Sequence, residues 1–553
     1  MRELTEKIFQ DKKIALAILL GLSIVVYLNS LNGAFVSDDI TSIIKNPLII
    51  QPLKNISSRG LAGFTMSINY HLVQFRPFAY HLTNLLVHIG IVILVYFFLL
   101  EITSQEISLI AAAIFAVHPI HTEAVSWISG RAYILGSLFL IVSLYLYILA
   151  NKKEKFFYYF YLCSLICFFA AQLTEVKSVV FLGVIGLYEY CFGNLTKRWQ
   201  KLIPYLGMTL LFMALLFRPF QSRVATENPE YAGGVELMNP LHQIPIALSY
   251  YLQLFVWPMN LTLYHEDISV SVANYLVRVV VILVLIGSLI YFFLKKEKLL
   301  LFGLALFIIT LAPTMLPVRI AWVVAERYIY FGSLGLCLVT AWLLVKALKK
   351  YPHALLGVVG ILLVLLSVRT IFRNQDWRTR ETLWVATAKV SPTSSKAWNN
   401  MGDIYAGKKD FQSAINAFQR AIELQPNYVD AHHNVGVTYL QIREFEKAIE
   451  WFEKAIAIFP LPQSYHDMGV AYFYLGEFGK SEELFQKVLE FDPQSTMALN
   501  SLGLLYFKQG KINEARQMWQ TAIQINPLNE GIKQNLLMLE RSLQASPSAS
   551  PRE

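Results

Sequence analysis

Phe35-Val36-Ser37-Asp38-Asp39-Ile40-Thr41 closely follows the first long apolar run of the chain, residues 14–31. An apolar run of about 20 residues predicts a helix that crosses a lipid bilayer. Two adjacent carboxylates are costly inside hydrocarbon, but at its edge a carboxylate can act on a lipid-borne molecule as a base or bind a metal ion. The stretch therefore predicts a membrane protein with acidic groups at the membrane surface.

The composition indicates that most of the chain lies in a membrane. Of its 553 residues, 55% are hydrophobic and 15% are charged, and the mean hydropathy is +0.46. Apolar runs fill residues 14–372, whereas the remainder alternates charged and apolar residues as a soluble helical array does. We therefore predict an all-α protein with a polytopic membrane domain at residues 1–372 and a soluble domain beyond Arg373.

The charge and the cysteines exclude several other classes of protein. The net charge of +9 does not indicate nucleic-acid binding, because Lys and Arg cluster in short loops where they set membrane orientation. The four cysteines lie inside apolar runs without the spacing of metal ligands, which indicates core positions rather than disulfides. No Walker-type glycine-rich loop is present, which argues against direct use of a nucleotide.

The apolar runs predict about eleven membrane spans with the N-terminus in the cytoplasm. The runs lie at residues 14–31, 79–100, 107–126, 131–150, 156–173, 176–192, 202–219, 274–294, 299–317, 328–348 and 353–372. This count places the Lys-rich loops near Lys152, Lys197, Lys295 and Lys346 on the same side as the Lys-bearing N-terminus. No convincing cleavage site follows the first run, so we expect it to remain as a span.

An odd number of spans puts the soluble domain outside the cytoplasm. Residues 242–258 are apolar enough for a twelfth span, but that crossing would move the Lys295 cluster to the opposite side. We therefore interpret them as a helix that lies on, or dips into, the outer surface. The outer face then carries the loops at residues 32–77 and 219–273, and the ionisable groups that are not topology signals converge there.

The sequence offers several candidate site residues on this face. Asp38 and Asp39 are candidates for a base or for metal ligands, with a solvated turn or a helix cap as the alternative. His81, Asn84 and His88 share one face of the second span, which predicts that they point into the bundle, either bonded internally or lining a substrate site. Arg76 precedes that helix and is suited either to lipid headgroups or to a phosphate.

Two later segments add further candidates. His118, His121, Glu123 and Arg131 form a dense polar run, but its spacing matches no standard zinc pattern, and hydrogen bonding to a sugar suits it better. Glu175 and Lys177 lie between two spans and have pairing with each other as the plain alternative. Arg319 precedes Glu326-Arg327-Tyr328 by about two helical turns, which suits phosphate binding by a guanidinium or, alternatively, an Arg–Glu pair at the membrane edge.

The soluble part repeats with a period near 34 residues. Gly402, Tyr405, Ala414, Phe418, Ala421 and Pro426 recur as Gly436, Tyr439, Ala448, Phe452, Ala455 and Pro460, and two further sets begin at Gly469 and Gly503. This pattern predicts four tetratricopeptide repeats, each a pair of helices, within residues 395–543.

The flanks of the repeats are also predicted from this pattern. Residues 373–394 form a connector that includes a half-repeat, a capping helix runs from about Glu530 to Leu543, and residues 544–553 form a disordered tail. Asn399, Asn400, Asn434 and Asn500 precede the glycines, where they would bond either an extended peptide in the repeat groove or the repeats themselves.

The order and spacing of these motifs resemble the transmembrane and tetratricopeptide-repeat O-mannosyltransferases, polytopic glycosyltransferases of the GT-C class, and their bacterial relatives. The resemblance rests on residues 36–39, 75–84, 118–131 and 326–330 and on the repeats. It implies a sugar donor carried on polyprenyl phosphate, an acceptor outside the cytoplasm, and an acidic residue of the first outer loop as base or metal ligand. The order of Glu175 and Lys177 departs from the Lys-Glu order of the relatives.

The resemblance therefore implies an integral membrane glycosyltransferase of the bacterial inner membrane that moves a mannose-like sugar to a protein hydroxyl, with the repeats positioning the acceptor polypeptide. A bound divalent metal such as Mg²⁺ or Mn²⁺ is an open alternative for Asp38 and Asp39. Two other functions remain open: the same chemistry on a lipid or cell-wall glycan, and a non-catalytic membrane-anchored scaffold.

Overall fold

The computed structural model describes residues 11–226, 239–263, 271–315, 324–527 and 529–545, together with Phe9 and His265. In this part of the chain the regular elements are all helices, and no strand occurs. The chain divides into two compact units, one comprising the described residues up to Thr393 and the other those from Ser394 onward. The all-α class is therefore confirmed.

The membrane unit contains sixteen α-helices among its described residues. They are α1 (Lys12–Tyr27), α2 (Pro52–Val73), α3 (Pro77–Leu100), α4 (Gln105–Val117), α5 (Thr122–Ser126), α6 (Arg131–Lys152), α7 (Phe157–Gln172), α8 (Phe181–Cys191), α9 (Leu195–Arg198), α10 (Ile203–Thr226), α11 (Pro240–Val256), α12 (Val272–Leu294), α13 (Lys298–Leu311), α14 (Ser333–Leu348), α15 (Pro352–Asp376) and α16 (Arg380–Val390).

The predicted count of eleven spans is not confirmed. Six helices of the described part are long and apolar enough to cross a membrane, and a seventh span results if α4 and the helices after it are one bent span. Two predicted spans are shorter apolar helices, Lys298–Thr314 and Ser333–Leu348. The difference arises because an apolar run shows only its length, whereas turns and bends divide several of these runs into shorter helices.

Helix α4 forms the centre of the membrane unit. All eleven residues from Ile107 to Val117 are buried, and α1, α3, α14 and α15 surround the helix. A helix that is apolar on all sides is expected in such a position, and its small residues Ala111, Ala112, Ala113 and Ala116 allow close approach. By contrast, only 6% of the most apolar stretch of α12 is buried. The side chains of this helix therefore point away from the bundle.

Two interruptions of regular helix, a bend after α4 and a kink in α2, lie near the candidate site. The chain bends by 52° between α4 and the segment Pro119–Ser126, where Pro119 follows His118. Helix α2 is kinked at Arg59 and Gly60, and Gly60 has a φ of +61°. A Cβ atom at Gly60 would lie 1.9 Å from the carbonyl oxygen of Leu173, so glycine is what allows α2 to contact the end of α7.

Helix α11 covers most of residues 242–258, which we interpreted as lying on or dipping into the surface. Seven of its residues are buried, and its C-terminal carbonyl at Phe255 accepts a hydrogen bond from His118. The hydroxyl of Tyr251 donates to the carbonyl of Ala325. One face of α11 therefore packs against the other helices of the bundle.

The second unit is a row of helix pairs that ends in a single helix. The pairs are α17 (Ser395–Gly407) with α18 (Phe411–Leu424), α19 (Val429–Gln441) with α20 (Phe445–Ile458), α21 (Pro462–Leu475) with α22 (Phe478–Phe491), and α23 (Thr496–Lys508) with α24 (Ile512–Ile525). Helix α25 (Glu530–Ala545) follows them. Of the predicted tail, residues 544 and 545 belong to α25, and the part from Ser546 onward lies outside the described residues.

The repeated glycines determine how the two helices of a pair approach each other. A Cβ atom at Gly402 would lie 2.4 Å from Phe418, and one at Gly436 would lie 2.7 Å from Phe452. The fourth pair brings Gly503 against Trp519 in the same way. The 34-residue pattern thus corresponds to a glycine that faces an aromatic ring within each pair.

Candidate functional site

The acidic stretch places its two carboxylates in different environments. Asp39 is fully buried, whereas Asp38 is exposed. One carboxylate oxygen of Asp39 accepts from the backbone N–H and the hydroxyl of Ser129, at 2.8 Å and 2.6 Å, and the other accepts from the N–H of Val36 at 3.0 Å. Asp39 therefore ties the loop after the first apolar helix to the start of α6.

The burial of Asp39 has an electrostatic consequence. Burial raises the pKa of Asp39 from about 3.8 to about 7, although the hydrogen bonds from Ser129 and Val36 oppose this shift. Asp38 lies next to the buried carboxylate and adds to the shift by charge repulsion. Asp38 is the member of the pair that is available to a molecule from outside.

Arg131 and Asn84 hold the helices around the acidic loop together. The guanidinium of Arg131 is fully buried and donates to Asn84, Asn69 and the carbonyl of Tyr80 at 2.7–2.8 Å. The amide of Asn84 in turn donates to the carbonyls of Val125 and Trp127. Both residues were candidates for substrate binding, and the structure places their polar groups in bonds within the protein.

Three histidines of the polar runs, His88, His118 and His121, are engaged by protein groups. His118 bonds the carbonyl of Phe255 and stacks on its ring. His121 bonds the carbonyl of Phe115 and the hydroxyl of Ser333, and His88 bonds the hydroxyl of Tyr330. These contacts connect the bend after α4 to α11 and α14.

His81 is buried beside Gly33, where a Cβ atom would lie 2.8 Å from the Nε2 atom of His81. The structure therefore brings His81 to the chain that leads into the acidic loop. Sequence periodicity correctly predicted that the face of His81, Asn84 and His88 points into the protein, since all three are buried.

Two buried ion pairs connect the segment 324–330 to the rest of the unit. Glu123 pairs with the guanidinium of Arg327 and also accepts from its backbone N–H at 2.8 Å. Glu326 accepts from Arg373 at 3.3 Å and from the N–H of Thr262. Glu326 thus pairs with an arginine of α15, and the expected partner Arg319 lies outside the described residues.

The charges of Lys177 and Glu175 interact, but no hydrogen bond joins the amine of Lys177 to the carboxylate of Glu175. The carboxylate of Glu175 lies 3.5 Å from the backbone N–H of Lys177 and caps the turn Val176–Val180. Among the described residues, the amine of Lys177 has no hydrogen-bond partner and is buried. It lies over the ring of Tyr328, 2.8 Å from the ring centroid, and close to Tyr133.

A small pocket joins these charged groups. It has a cavity volume of about 40 Å³, and Glu175, Lys177, Arg327, Tyr133 and Tyr328 contribute to its lining. Arg327 donates from Nε to the hydroxyl of Tyr133 at 3.3 Å and lies over the rings of Trp127 and Tyr328. The pocket therefore combines two cationic side chains with an aromatic wall.

Arg76 stands apart from this arrangement, because it is exposed at the start of α3 and its side chain makes no capping bond there. Arg59, which sequence analysis missed, lies exposed at the kink of α2. Burial lowers the pKa of Arg59, and the charge of Asp38 opposes that shift, so the two groups are close neighbours. The only sequence signal for Arg59 is its position before Gly60 in the first outer loop.

Three other residues of the site were also missed. Ser129 holds Asp39, Tyr133 receives Arg327, and Arg373 neutralises Glu326. Hydroxyl groups carry no signal in a single sequence. Arg373 follows directly on the last predicted span, at the predicted domain boundary, where a basic residue is not unusual. Their partners are distant in the chain, so only the folded structure brings them together.

A metal ion bound by Asp38 and Asp39 is the alternative to a base. The described residues contain no group of three His, Cys, Asp or Glu side chains placed to hold a metal ion. Asp39 has its oxygens directed to Ser129 and Val36, which leaves Asp38 as the accessible carboxylate. Among the described residues, the acidic pair therefore offers one accessible carboxylate without further metal ligands, and the divalent metal stays a prediction.

The asparagines of the repeat unit mostly bond neighbouring repeats. Asn434 donates to Asn399 at 3.0 Å, and Asn500 accepts from Asn535 and from the indole N–H of Trp519. Asn400 donates to the carbonyl of Lys396. Of the two interpretations, these contacts favour bonding among the helices of the unit.

Fold and site together define a class: a helical membrane protein with ionisable groups gathered between its apolar helices and a C-terminal unit of helical repeats. Tetratricopeptide repeat models match residues 393–460, 462–495 and 497–529. The chain is similar to protein O-mannosyl-transferases, and the resemblance inferred from the motifs is thereby confirmed.

The similarity covers most of the chain. Human protein O-mannosyl-transferase TMTC3 is 25% identical over 476 residues, which cover 74% of this chain and 51% of the human protein. The mouse TMTC3 protein is 26% identical, with 72% and 50% covered, and F38B6.6 of Caenorhabditis elegans is 27% identical, with 75% and 63% covered. The chain spans about half the length of the two mammalian relatives.

Among solved structures, the crystal structure of MamA protein is 24% identical and covers 27% of this chain and 82% of its own. Its TM-score of 0.25 is too low to establish a shared overall fold.

Proposed function

We propose that this protein is a membrane glycosyltransferase that moves a mannose-like sugar from polyprenyl phosphate to a hydroxyl group of a polypeptide. The names of the relatives support the reaction class. The observation that carries the proposal for this chain is the accessible carboxylate of Asp38 beside the anchored carboxylate of Asp39. Asp39 fixes the position of the loop through its hydrogen bonds, and the carboxylate of Asp38 can reach a substrate.

Asp38 acts as the general base in this proposal. Its carboxylate accepts the proton of the acceptor hydroxyl while the hydroxyl oxygen forms a bond to the anomeric carbon. The bond between that carbon and the phosphate oxygen breaks, and its electron pair stays on the departing polyprenyl phosphate. Direct displacement inverts the anomeric centre. No step passes through a metal ion.

Positive groups stabilise the phosphate as its charge develops. Arg327 and Lys177 line the pocket between the helices, and Arg59 lies near Asp38. Arg76 and Arg319 remain candidates for the lipid phosphate near the membrane edge. Asp39, Asn84, Arg131 and the histidines act as positioning residues in this proposal, because they are buried within the protein.

The proposal also includes the number of spans and the side of the membrane on which each loop lies. Eleven spans, with several divided into short or bent helices, place the acidic loop and the repeats outside the cytoplasm and the Lys-rich loops inside it. The repeats then lie on the side where the acceptor polypeptide is presented. A bacterial inner membrane is the proposed location.

The test is sugar transfer by the purified full-length chain in lipid vesicles, with polyprenyl-phosphate mannose as donor and with peptide and lipid acceptors offered separately. We expect transfer to peptide, a loss of at least 100-fold in Asp38→Asn, and unchanged transfer in Glu154→Gln, an exposed carboxylate outside the site. Transfer with and without a chelator tests the metal alternative.

Full activity of Asp38→Asn in a folded protein would overturn the role of Asp38. Transfer to lipid but not to peptide would support the alternative acceptor. Transfer to neither acceptor would leave the scaffold as the better hypothesis.

A further inference from the structure

Two segments of the membrane unit, residues 152–156 between α6 and α7 and residues 192–202 between α8 and α10, form one basic surface. The amine of Lys201 donates to the side chain of Asn151 at 2.6 Å. The hydroxyl of Tyr161 in α7 donates to the carbonyl of Lys201, also at 2.6 Å. These contacts hold the second segment against the first, so the cations of both segments face a ligand together.

Helix α6 separates the basic surface from the acidic pair. The helix begins at Arg131, two residues after the Ser129 that holds Asp39, and it ends at Lys152. At a rise of about 1.5 Å per residue, its 22 residues span about 33 Å. A phosphate bound at the basic surface is therefore not the phosphate of a sugar donor that reacts at Asp38.

The basic surface carries more positive charge than its acidic neighbours neutralise. The two segments contain one acidic side chain, Glu154, and six basic side chains, at Lys152, Lys153, Lys155, Lys197, Arg198 and Lys201. Glu101 pairs with Lys152, and the buried Glu189 lies 3.5 Å from Arg198. When these three carboxylates are taken into account, three positive charges remain for a ligand.

The aromatic side chains of the same segments indicate the level of the lipid headgroups. Tyr158, Tyr159 and Trp199 are exposed. Tyr and Trp collect at the boundary between hydrocarbon and water, because the ring is apolar and the polar atom stays hydrated. A lysine at that level keeps its stem in the apolar region and its amine beside the phosphate groups.

The two helices that leave the basic surface expose apolar side chains. Helix α7 exposes Leu162 and Ile166, and α10 exposes Leu206 and Leu210, with exposed fractions between 41% and 60%. All four lie within about three turns of the start of their helix, at the depth of lipid acyl chains. A lipid would contact both the cations and these side chains, whereas a soluble anion would contact only the cations.

The contacts of the cations go beyond what membrane orientation requires. The positive-inside rule depends on the number of Lys and Arg residues near the span ends and not on a fixed position of each. Here Asn151 and the ring of Phe157 hold the amine of Lys201, and Glu189 holds Arg198. Two cations are thus fixed in place, as a binding site requires.

We propose that the basic surface binds the headgroup of an anionic phospholipid, whose acyl chains lie along α7 and α10. The charge of Arg198 acts on Lys201, so the two cations are neighbours and can contact one phosphate. The other lysines of the two segments strengthen the attraction. The proposal goes beyond sugar transfer and holds on whichever side of the membrane the surface lies.

The test is direct binding of lipid to the full-length chain in detergent. The probes are phosphatidylglycerol and phosphatidylcholine with the same acyl chains, and native mass spectrometry counts the lipids that the chain retains after the detergent is removed. We expect the chain to retain phosphatidylglycerol about tenfold more tightly. Combined Lys155→Gln, Lys197→Gln and Lys201→Gln should abolish that preference and leave retention of phosphatidylcholine unchanged.

The matched control removes the same charge elsewhere. Lys346, Lys349 and Lys350 are exposed at the end of α14, and their combined change to Gln should leave the preference for phosphatidylglycerol intact. Arg at all three test positions should retain the preference, because it keeps the positive charge.

Equal retention of the two lipids by the unmodified chain would overturn the proposal. Equal weakening by the test and the control variants would also overturn it, since it would show only a general attraction to positive loops. Glycerol phosphate and a glutamate-rich peptide test the other occupants of the surface. If either displaces phosphatidylglycerol as well as phosphatidic acid does, the assignment to a lipid is wrong.

Thermal unfolding separates a loss of the site from a loss of the fold. Phosphatidylglycerol should raise the Tm of the unmodified chain and leave that of the Gln variant unchanged, because only the former binds it. A fall in Tm together with loss of binding, with neither recovered by Arg at the same positions, would overturn the proposal. That outcome would show that the three lysines only support the structure.

Discussion

At the scale of single residues, the two adjacent aspartates have separate tasks because their surroundings differ. Asp39 accepts three hydrogen bonds from Val36 and Ser129 in a buried position, while Asp38 is accessible. An accessible carboxylate can exchange a proton with a substrate, whereas a buried and bonded one mainly determines where its loop lies. We therefore propose Asp38 as the base and Asp39 as its positioning residue.

The raised pKa of Asp39 predicts a pH dependence of stability. Its pKa is about 7 in the folded protein and about 3.8 ordinarily, so the folded state binds more protons between these values. The contribution of Asp39 to stability is present below about pH 4 and is lost as the pH rises to about 7. The slope is at most about 1.4 kcal/mol per pH unit for one proton.

The measurement is Tm between about pH 4 and pH 8 for the unmodified protein and for Asp39→Asn, a range that spans the two pKa values. The difference in Tm between them should change over this range and become constant above about pH 7. A difference that is constant over the whole range would show that Asp39 does not titrate there.

Substitution of Arg131 should lower the thermal stability of the protein, because its hydrogen bonds hold the membrane unit together. Arg131→Met removes the donors to Asn84, Asn69 and the carbonyl of Tyr80, and each buried acceptor left unpaired costs about 1–3 kcal/mol. We expect a large fall in Tm. Arg131→Lys should recover little of it, because an ammonium cannot donate in the forked geometry of a guanidinium.

The control for Arg131 is Arg76→Met, which removes an exposed arginine from the same region and should leave Tm within experimental error. Unchanged unfolding of Arg131→Met would refute the structural assignment. If Arg131→Met folds normally but loses substrate binding, the earlier prediction of a substrate-binding role would be restored.

At the scale of elements, the kink of α2 brings the first outer loop to the end of α7. Gly60 adopts φ +61° and ψ −157°, a conformation that is open essentially only to glycine. The N–H of Leu61 donates to the carbonyl of Leu173 at 3.3 Å. Because Glu175 and Lys177 follow Leu173 closely, this contact connects the loop of the acidic pair to the side of the pocket.

Gly60→Ala should therefore disturb the site without touching a charged group. The added Cβ atom would lie 1.9 Å from the carbonyl oxygen of Leu173, and the strained backbone adds a cost of about 1–3 kcal/mol. We expect faster proteolytic cleavage in α2 and lower sugar transfer. Gly186→Ala, where no heavy atom lies within 4 Å of the added Cβ, should change neither.

At the scale of the whole molecule, the predicted sidedness can be tested without reference to catalysis. Gln412→Cys in the repeat unit and Lys153→Cys after α6 both place a thiol on an exposed position. With a membrane-impermeant maleimide on intact cells, we expect labelling of Gln412→Cys alone, and labelling of Lys153→Cys only after permeabilisation. The reverse pattern would overturn the topology, and labelling of the unmodified chain is the control for its own cysteines.

Local features of the sequence were sufficient to predict the class of fold. The 34-residue period predicted helix pairs because each pair needs a small residue facing an aromatic ring, as Gly436 faces Phe452. The apolar runs predicted membrane helices because length and hydrophobicity are properties of a continuous segment. The count of eleven spans that they predict is not confirmed, since a bend such as that after His118 depends on the packing around it.

Periodicity, composition and motif order were therefore enough to predict the helical class, the repeats, the membrane character and the resemblance to the O-mannosyl-transferases. The folded chain was needed to show which aspartate is buried, that Arg131 is bonded within the protein, and that the amine of Lys177 lacks a hydrogen-bond partner among the described residues. The physical reason is distance along the chain: Asp39 meets Ser129 across 90 residues and Glu123 meets Arg327 across 204. No local pattern records contacts of that separation, and these contacts determine the charge and accessibility of each candidate group.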